Sequence, residues 1–104
     1  MKIYSPQFQK ITVLLCLSAD ADPFEITGVK DTELKLWACY LARKLTDASD
    51  RSIAAFFKID PNYMSSKLED LAIEFLVNTE GMKFLEMLEL AYNRLQAIPT
   101  TNVK

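Results

Sequence analysis

The sequence contains no histidine and only two cysteines among its 104 residues. Histidine is the usual general base of enzymes, and cysteine nucleophiles usually need a histidine partner. Two thiols without histidine do not complete a tetrahedral zinc site. A GxxxxGK[ST] phosphate-binding loop is also missing, so nucleotide hydrolysis is not expected. We therefore predict a protein without enzymatic activity, bound metal or cofactor.

Breaker residues are scarce as well, with two glycines and four prolines. Strand patterns are weak, whereas apolar residues recur at spacings of three and four, which is typical of helices. The apolar run Ile11–Leu17 is far too short to span a bilayer, and no targeting signal is recognisable. Cys16 and Cys39 lie inside apolar runs, which indicates buried thiols in a reducing cytoplasm. We predict one all-α domain of about five helices over residues 1–97, with a flexible tail over residues 98–104.

Helix-start residues divide this domain into segments. Ser5-Pro6 is a good helix start, and the first helix is expected to reach about Ser18. Its inward positions are predicted to be Phe8, Ile11, Leu14, Leu15 and Leu17. A short turn closed by Gly28 is expected to bury Phe24 and Ile26.

The second main helix is predicted from about residue 31 or 32 to residue 45, with one face formed by Leu34, Trp37, Ala38, Leu41 and Leu45. Thr79 is expected to cap a last helix over about residues 80–96.

The stretch Arg51–Leu71 has the pattern of two short helices joined by a tight turn, Lys58-Ile59-Asp60. Asp60 is a good N-cap and Pro61 a good first residue for the second helix, which we expect to continue to Val77. The apolar residues that would pack inward are Ile53, Ala54, Phe57, Ile59, Met64, Leu68 and Leu71. This arrangement is typical of a helix-turn-helix, although the turn has lysine where glycine is usual.

The run WACYLARKLTDASDRSIAAFF, residues 37–57, resembles the start of the C-terminal DNA-binding domain of the bacterial replication initiator DnaA. The matching positions are Ala38, Tyr40, Leu41, Ala42, Arg43, Leu45, Thr46, Ser49, Ile53 and Phe56. The resemblance extends over roughly residues 5–95 and implies a Trp-repressor-like helix-turn-helix in a diverged bacterial relative that lacks the ATPase module. Where the family has a Gly-Gly-Arg-Asp-His-Thr-Thr-Val signature, this chain has FKIDPNYM at residues 57–64, in which only Asp60 is kept and Met64 takes the place of valine. The resemblance therefore implies the fold, but not the family's DNA target.

The net charge is −2, yet residues 30–67 carry seven basic and five acidic side chains. This small basic excess coincides with the predicted helix-turn-helix, and ordinary solvated helix faces are the plain alternative. On the DNA-binding hypothesis, the outward side of the second helix presents Asn62, Tyr63, Ser66 and Lys67 to double-stranded DNA. Phosphate contacts are predicted for Arg43, Lys44, Arg51 and Lys58. Lys35 stands near a position where the DnaA domain has an arginine, so the resemblance implies a DNA-binding residue there as well.

The last helix supports a second hypothesis, because it is apolar over much of its circumference. Its stripe either crosses the core or binds a second copy or another protein. The residues of this candidate partner surface are Phe84, Leu85, Leu88, Tyr92 and Leu95. A protein-interaction module that kept the fold and lost DNA binding is therefore the alternative to a DNA-binding protein in the control of transcription or replication.

Overall fold

The computed structural model describes residues 5–97, with side chains as far as residue 95. Over this range it contains six α-helices and no strand. Their bounds are α1 Ser5–Ala19, α2 Phe24–Thr27, α3 Glu33–Leu45, α4 Asp50–Phe57, α5 Pro61–Val77 and α6 Thr79–Ala97. The all-α prediction is confirmed, and the sixth helix is the four-residue α2, which the sequence indicated as a short turn. The predicted tail over residues 98–104 lies outside the described residues.

Helix α3 lies at the centre of the fold and packs against each of the other five helices. Ala38, Cys39, Leu41 and Ala42 are all buried on it, and two of these residues are alanines that let neighbouring helices approach closely. The surrounding helices contribute the remaining core side chains, which include Phe8, Ile11, Leu15, Ile26, Ile53, Phe57, Met64, Leu68, Phe75, Leu85, Leu88 and Tyr92. None of the helices in residues 5–97 is long and apolar enough to cross a membrane.

Two groups of aromatic rings join the helices. In the first group, Phe8 of α1 lies 5.2 Å and 5.7 Å from the rings of Phe56 and Phe57 on α4. In the second group, the Trp37 ring of α3 lies 5.0 Å from Phe75 of α5 and 5.4 Å from Phe84 of α6. Tilted and edge-on ring pairs at these distances stabilise a core beyond the burial of their surface.

Most helix starts follow the local chemistry of the chain. Thr32, Ser49 and Asp60 each accept a hydrogen bond from the backbone N–H three residues later. The predicted Asp60 cap and the extent of α5 to Val77 are confirmed. At α6 the prediction is wrong by one residue, because the N–H of Gly81 donates to the side-chain oxygen of Asn78 at 3.0 Å.

Two predicted core residues are on the surface, since Leu17 is 76% exposed and Phe24 is 78% exposed. Each lies two positions from a fully buried neighbour, Leu15 and Ile26 respectively. Two residues turn a helix by about 200°, so the neighbour's burial directs these side chains outward. Helices α1 and α2 therefore expose apolar surface to solvent.

Candidate nucleic-acid interface

The turn between α4 and α5 has the tight geometry that the sequence predicts. Lys58 adopts the left-handed conformation, with φ 59° and ψ 55°, at the position where glycine is usual. The N–H of Ile59 donates to the carbonyl of Ala54 at 3.0 Å, and the Ile59 side chain is 7% exposed. A buried anchor and a backbone bond thus fix the direction in which the chain enters α5.

The side chain of Lys35 on α3 contacts this turn and is fully buried, with an exposure of 0%. Its Nζ donates to the carbonyl oxygens of Gly28 at 2.6 Å and Lys58 at 3.2 Å, and lies 3.7 Å from Oδ1 of Asp31. The ammonium group is therefore engaged by partners within the protein and is shielded from solvent. The prediction of Lys35 as a DNA-binding residue is therefore wrong, because this cation does not reach the surface.

Arg43 and Asp50 form a two-point ion pair, with Nε–Oδ1 at 3.1 Å and Nη2–Oδ2 at 2.6 Å. The Oδ2 atom of Asp50 also accepts a bond from the Ser65 hydroxyl at 3.1 Å. The hydrogen bond from Arg43 is the main cause that lowers the pKa of Asp50, and the same bond raises the pKa of Arg43. This cluster links α3, α4 and α5, and it also means that a carboxylate already neutralises the charge of Arg43.

The remaining predicted DNA contacts are on the surface. Lys44 lies within 3.9 Å of Glu89 on α6, which compensates part of its charge. The other exposed members are Arg51, Lys58, Asn62, Tyr63, Ser66 and Lys67. Four of these six lie on the first two turns of α5. The bond from Ser65 to Asp50 places the start of α4, and so the backbone of Arg51, beside them.

The two halves of α5 differ in chemistry although one helix carries both. In the first half, Lys67 lies with its Nζ 5.6 Å from the centre of the Tyr63 ring, and both side chains are accessible. The second half exposes acidic and apolar side chains, which are Glu69, Asp70, Ile73, Glu74, Leu76 and Val77 in chain order. Only the N-terminal half therefore suits a polyanion.

The apolar stripe of α6 is largely part of the core. Leu85, Leu88 and Tyr92 are 3% exposed or less, and Phe84 is half-buried against Trp37. Of the five residues predicted as a partner surface, only Leu95, at 37%, counts as exposed. The core interpretation of this stripe is thus confirmed for its central residues, which are not accessible to a partner in this fold.

Within residues 5–97 no group of three histidine, cysteine or acidic residues is arranged to hold a metal ion. Comparisons with models of protein families, with curated proteins and with solved structures found no match to this chain. The resemblance to the DnaA domain therefore stays a prediction that rests on the residues quoted above.

Proposed function

We propose that this protein binds double-stranded DNA through the first half of α5. The observation that carries the proposal is the exposed polar face formed by Asn62, Tyr63, Ser66 and Lys67 at the start of that helix. Helix-turn-helix proteins contact base edges with the N-terminal residues of their second helix. A helix used in this way needs a fixed direction, which the buried Ile59 and the bond from Lys35 to the turn supply.

The exposed side chains divide into two kinds of contact. Asn62 has the amide that pairs with adenine in the major groove, and Tyr63 and Ser66 carry hydroxyls for bases or phosphates. Lys58 and Lys67 are cations for phosphates, and both are exposed. Arg51 would add a third cation at the start of α4, whereas Arg43 and Lys44 are already paired with carboxylates.

The resemblance to the DnaA C-terminal domain supports a Trp-repressor-like arrangement and a role in the control of bacterial transcription or replication. The signature residues that contact DNA in that family are replaced here, so we expect a different target sequence. The overall charge of −2 also favours local contacts at one helix end over a broad basic surface.

Fluorescence anisotropy with random-sequence duplex DNA over a salt series tests this proposal. We expect log K to fall with log salt, and a Lys58→Asn/Lys67→Gln variant to lower the slope by about two units, roughly one for each phosphate that a lysine no longer neutralises. A Lys30→Gln/Lys83→Gln variant removes the same charge from sites outside the proposed surface and should keep the slope. An absence of binding at low salt, or equal slopes for the two double variants, would refute the proposal.

A further inference from the structure

An open apolar groove lies between α1, α2 and the end of α4, on the side of the molecule where Leu17 is exposed. Its volume is about 700 Å³. Small-molecule sites usually fall between about 300 and 1,000 Å³ and combine apolar walls with few polar groups. The lining residues that bear on a ligand are Val13, Cys16, Leu17, Phe56 and Lys58.

The floor of this groove is a helical stripe that the core does not use. Val13 and Leu17 of α1 are 54% and 76% exposed, although both are apolar. Together with Cys16 they occupy positions at spacings of three and four, so they follow one side of α1 for more than a turn. Phe56 closes the groove from α4 and is only partly buried. A concave surface with apolar walls and few polar groups is typical of small-molecule sites.

Charge defines the head group that this groove accepts. Lys58 is the one charged residue among those that line it. Its side chain is exposed and makes no ion pair with any residue that the structure describes. Burial first, and then the fields of Asp22 and Glu25, raise the pKa of the Cys16 thiol, so carboxylates lie near that part of the groove. An anionic head is therefore favoured at Lys58 and disfavoured beside Cys16.

We propose that this groove binds a small amphiphilic carboxylate, with its hydrocarbon chain along Val13, Leu17 and Phe56 and its carboxylate at Lys58. Binding of this ligand does not depend on DNA. Because Lys58 also belongs to the turn before α5, an occupied groove would use a cation that the proposed DNA surface shares.

Cys16 is half-exposed and lines the groove, so the reactivity of its thiol reports whether the groove is occupied. The measurement uses the full chain without DNA. Cys39 is fully buried and burial raises the pKa of its thiol to about 12, so alkylation of the folded protein reports Cys16. The rate of N-ethylmaleimide labelling is measured against increasing decanoate, with decanol and decylamine as neutral and cationic analogues. We expect decanoate to slow labelling about fivefold or more with a saturating dependence, and the two analogues to require higher concentrations.

Substitutions separate the charge from the apolar walls. Lys58→Asn removes the charge, and asparagine tolerates the left-handed conformation at that position. It should weaken decanoate binding by about threefold to fivefold, the upper part of the range for an exposed ion pair, and leave decanol unchanged. Lys30→Asn removes an exposed lysine outside the groove and serves as the matched control. Leu17→Glu changes an exposed side chain, so the fold should persist while the affinity for both ligands falls.

Three results would overturn the proposal. The first is an unchanged labelling rate up to the concentration at which decanoate forms micelles, which would point to a protein segment as the occupant of the groove. The second is equal protection by all three amphiphiles, which would show unspecific apolar partition. The third is an equal decanoate affinity for the Lys58→Asn and Lys30→Asn variants, which would remove the charge from the site.

Discussion

The chain changes direction between α4 and α5 and again between α5 and α6, but the two junctions are built differently. The first junction, residues 58–60, is tied to the core by the buried Ile59 and by the bond from Lys35 to the Lys58 carbonyl. The second junction consists of Asn78 alone, which is exposed and caps α6 with its own side chain. Distant parts of the chain thus hold the first junction in addition to its local bonds, whereas local capping chemistry holds the second.

This difference indicates which helix pair has a fixed orientation. A helix that reads DNA must keep its angle to the rest of the protein, because small displacements break hydrogen bonds to bases. The α4–α5 junction meets that requirement with the help of two interactions that are made only in the complete fold, the burial of Ile59 and the bond from Lys35. Local capping at Asn78 starts α6, while the orientation of α6 depends on its own packing against α1, α3 and α5.

The largest effect is expected from Lys35→Met, which keeps the apolar stem of the side chain but removes its ammonium group. The carbonyls of Gly28 and Lys58 would be left without their buried donor, and each unsatisfied group costs about 1–3 kcal/mol. We expect the free energy of unfolding in urea to fall by about 3 kcal/mol. Lys30→Met, at an exposed site, should change it by less than about 0.5 kcal/mol. Similar values for the two variants would remove the distinction between the junctions.

Removal of the cap at the second junction should have a smaller effect. Asn78→Ala leaves the Gly81 N–H without its acceptor and should cost about 1 kcal/mol, the usual value for an N-cap. Thr79→Ala is the control, since the cap is formed by Asn78 and not by the threonine. Urea unfolding of both variants measures the difference, and a larger loss for Thr79→Ala would contradict the structure.

The substitution Lys58→Gly should have the opposite effect on the first junction, which it should stabilise. A lysine with φ 59° is strained and glycine is not, although glycine makes the unfolded chain more flexible. We expect a net increase of about 0.5 kcal/mol in the free energy of unfolding. Lys67→Gly is the matched control inside α5, where glycine should cost about 1 kcal/mol. A loss of stability in Lys58→Gly would show that the lysine side chain supports the turn.

The smallest effect concerns pH and the cluster that ties α3, α4 and α5 together. The Arg43 hydrogen bond lowers the pKa of Asp50 in the folded protein. The stabilisation is therefore complete above the unfolded pKa of about 3.9 and is lost as the pH falls through the lower folded value. The pair is partly exposed, so we expect only about 0.3 kcal/mol. Urea unfolding between about pH 6 and about pH 3 should show a weaker loss in Asp50→Asn than in the parent protein.

Local chemistry made the first turn of α5 predictable from the sequence. Asp60 and Pro61 are a cap and a first helical residue whose preferences depend on the adjacent backbone alone. The exposure of Asn62 and Ser66 followed from helical periodicity, because they lie opposite Met64 and Leu68. The same reasoning did not separate Asn78 from Thr79, since both side chains cap helices and they are neighbours in the chain.

The burial of Lys35 was not predictable in the same way. Its hydrogen-bond acceptors are carbonyls 7 and 23 residues away, and every residue has a carbonyl, so the sequence carries no sign of this pairing. The apolar groove was missed for a related reason. Leu17 was assigned to the core by its apolar character, and its exposure depends on which side of α1 faces α3.

The position of the single tryptophan gives this molecule an internal optical reporter. Trp37 lies between Phe75 and Phe84, one ring on each side of the α5–α6 junction. Any separation of these two helices from α3 would admit water to the indole and shift its emission to longer wavelength. The Cys16 thiol lines the groove between α1, α2 and α4, which includes none of these three rings. Fluorescence and thiol labelling can therefore follow two separate groups of residues.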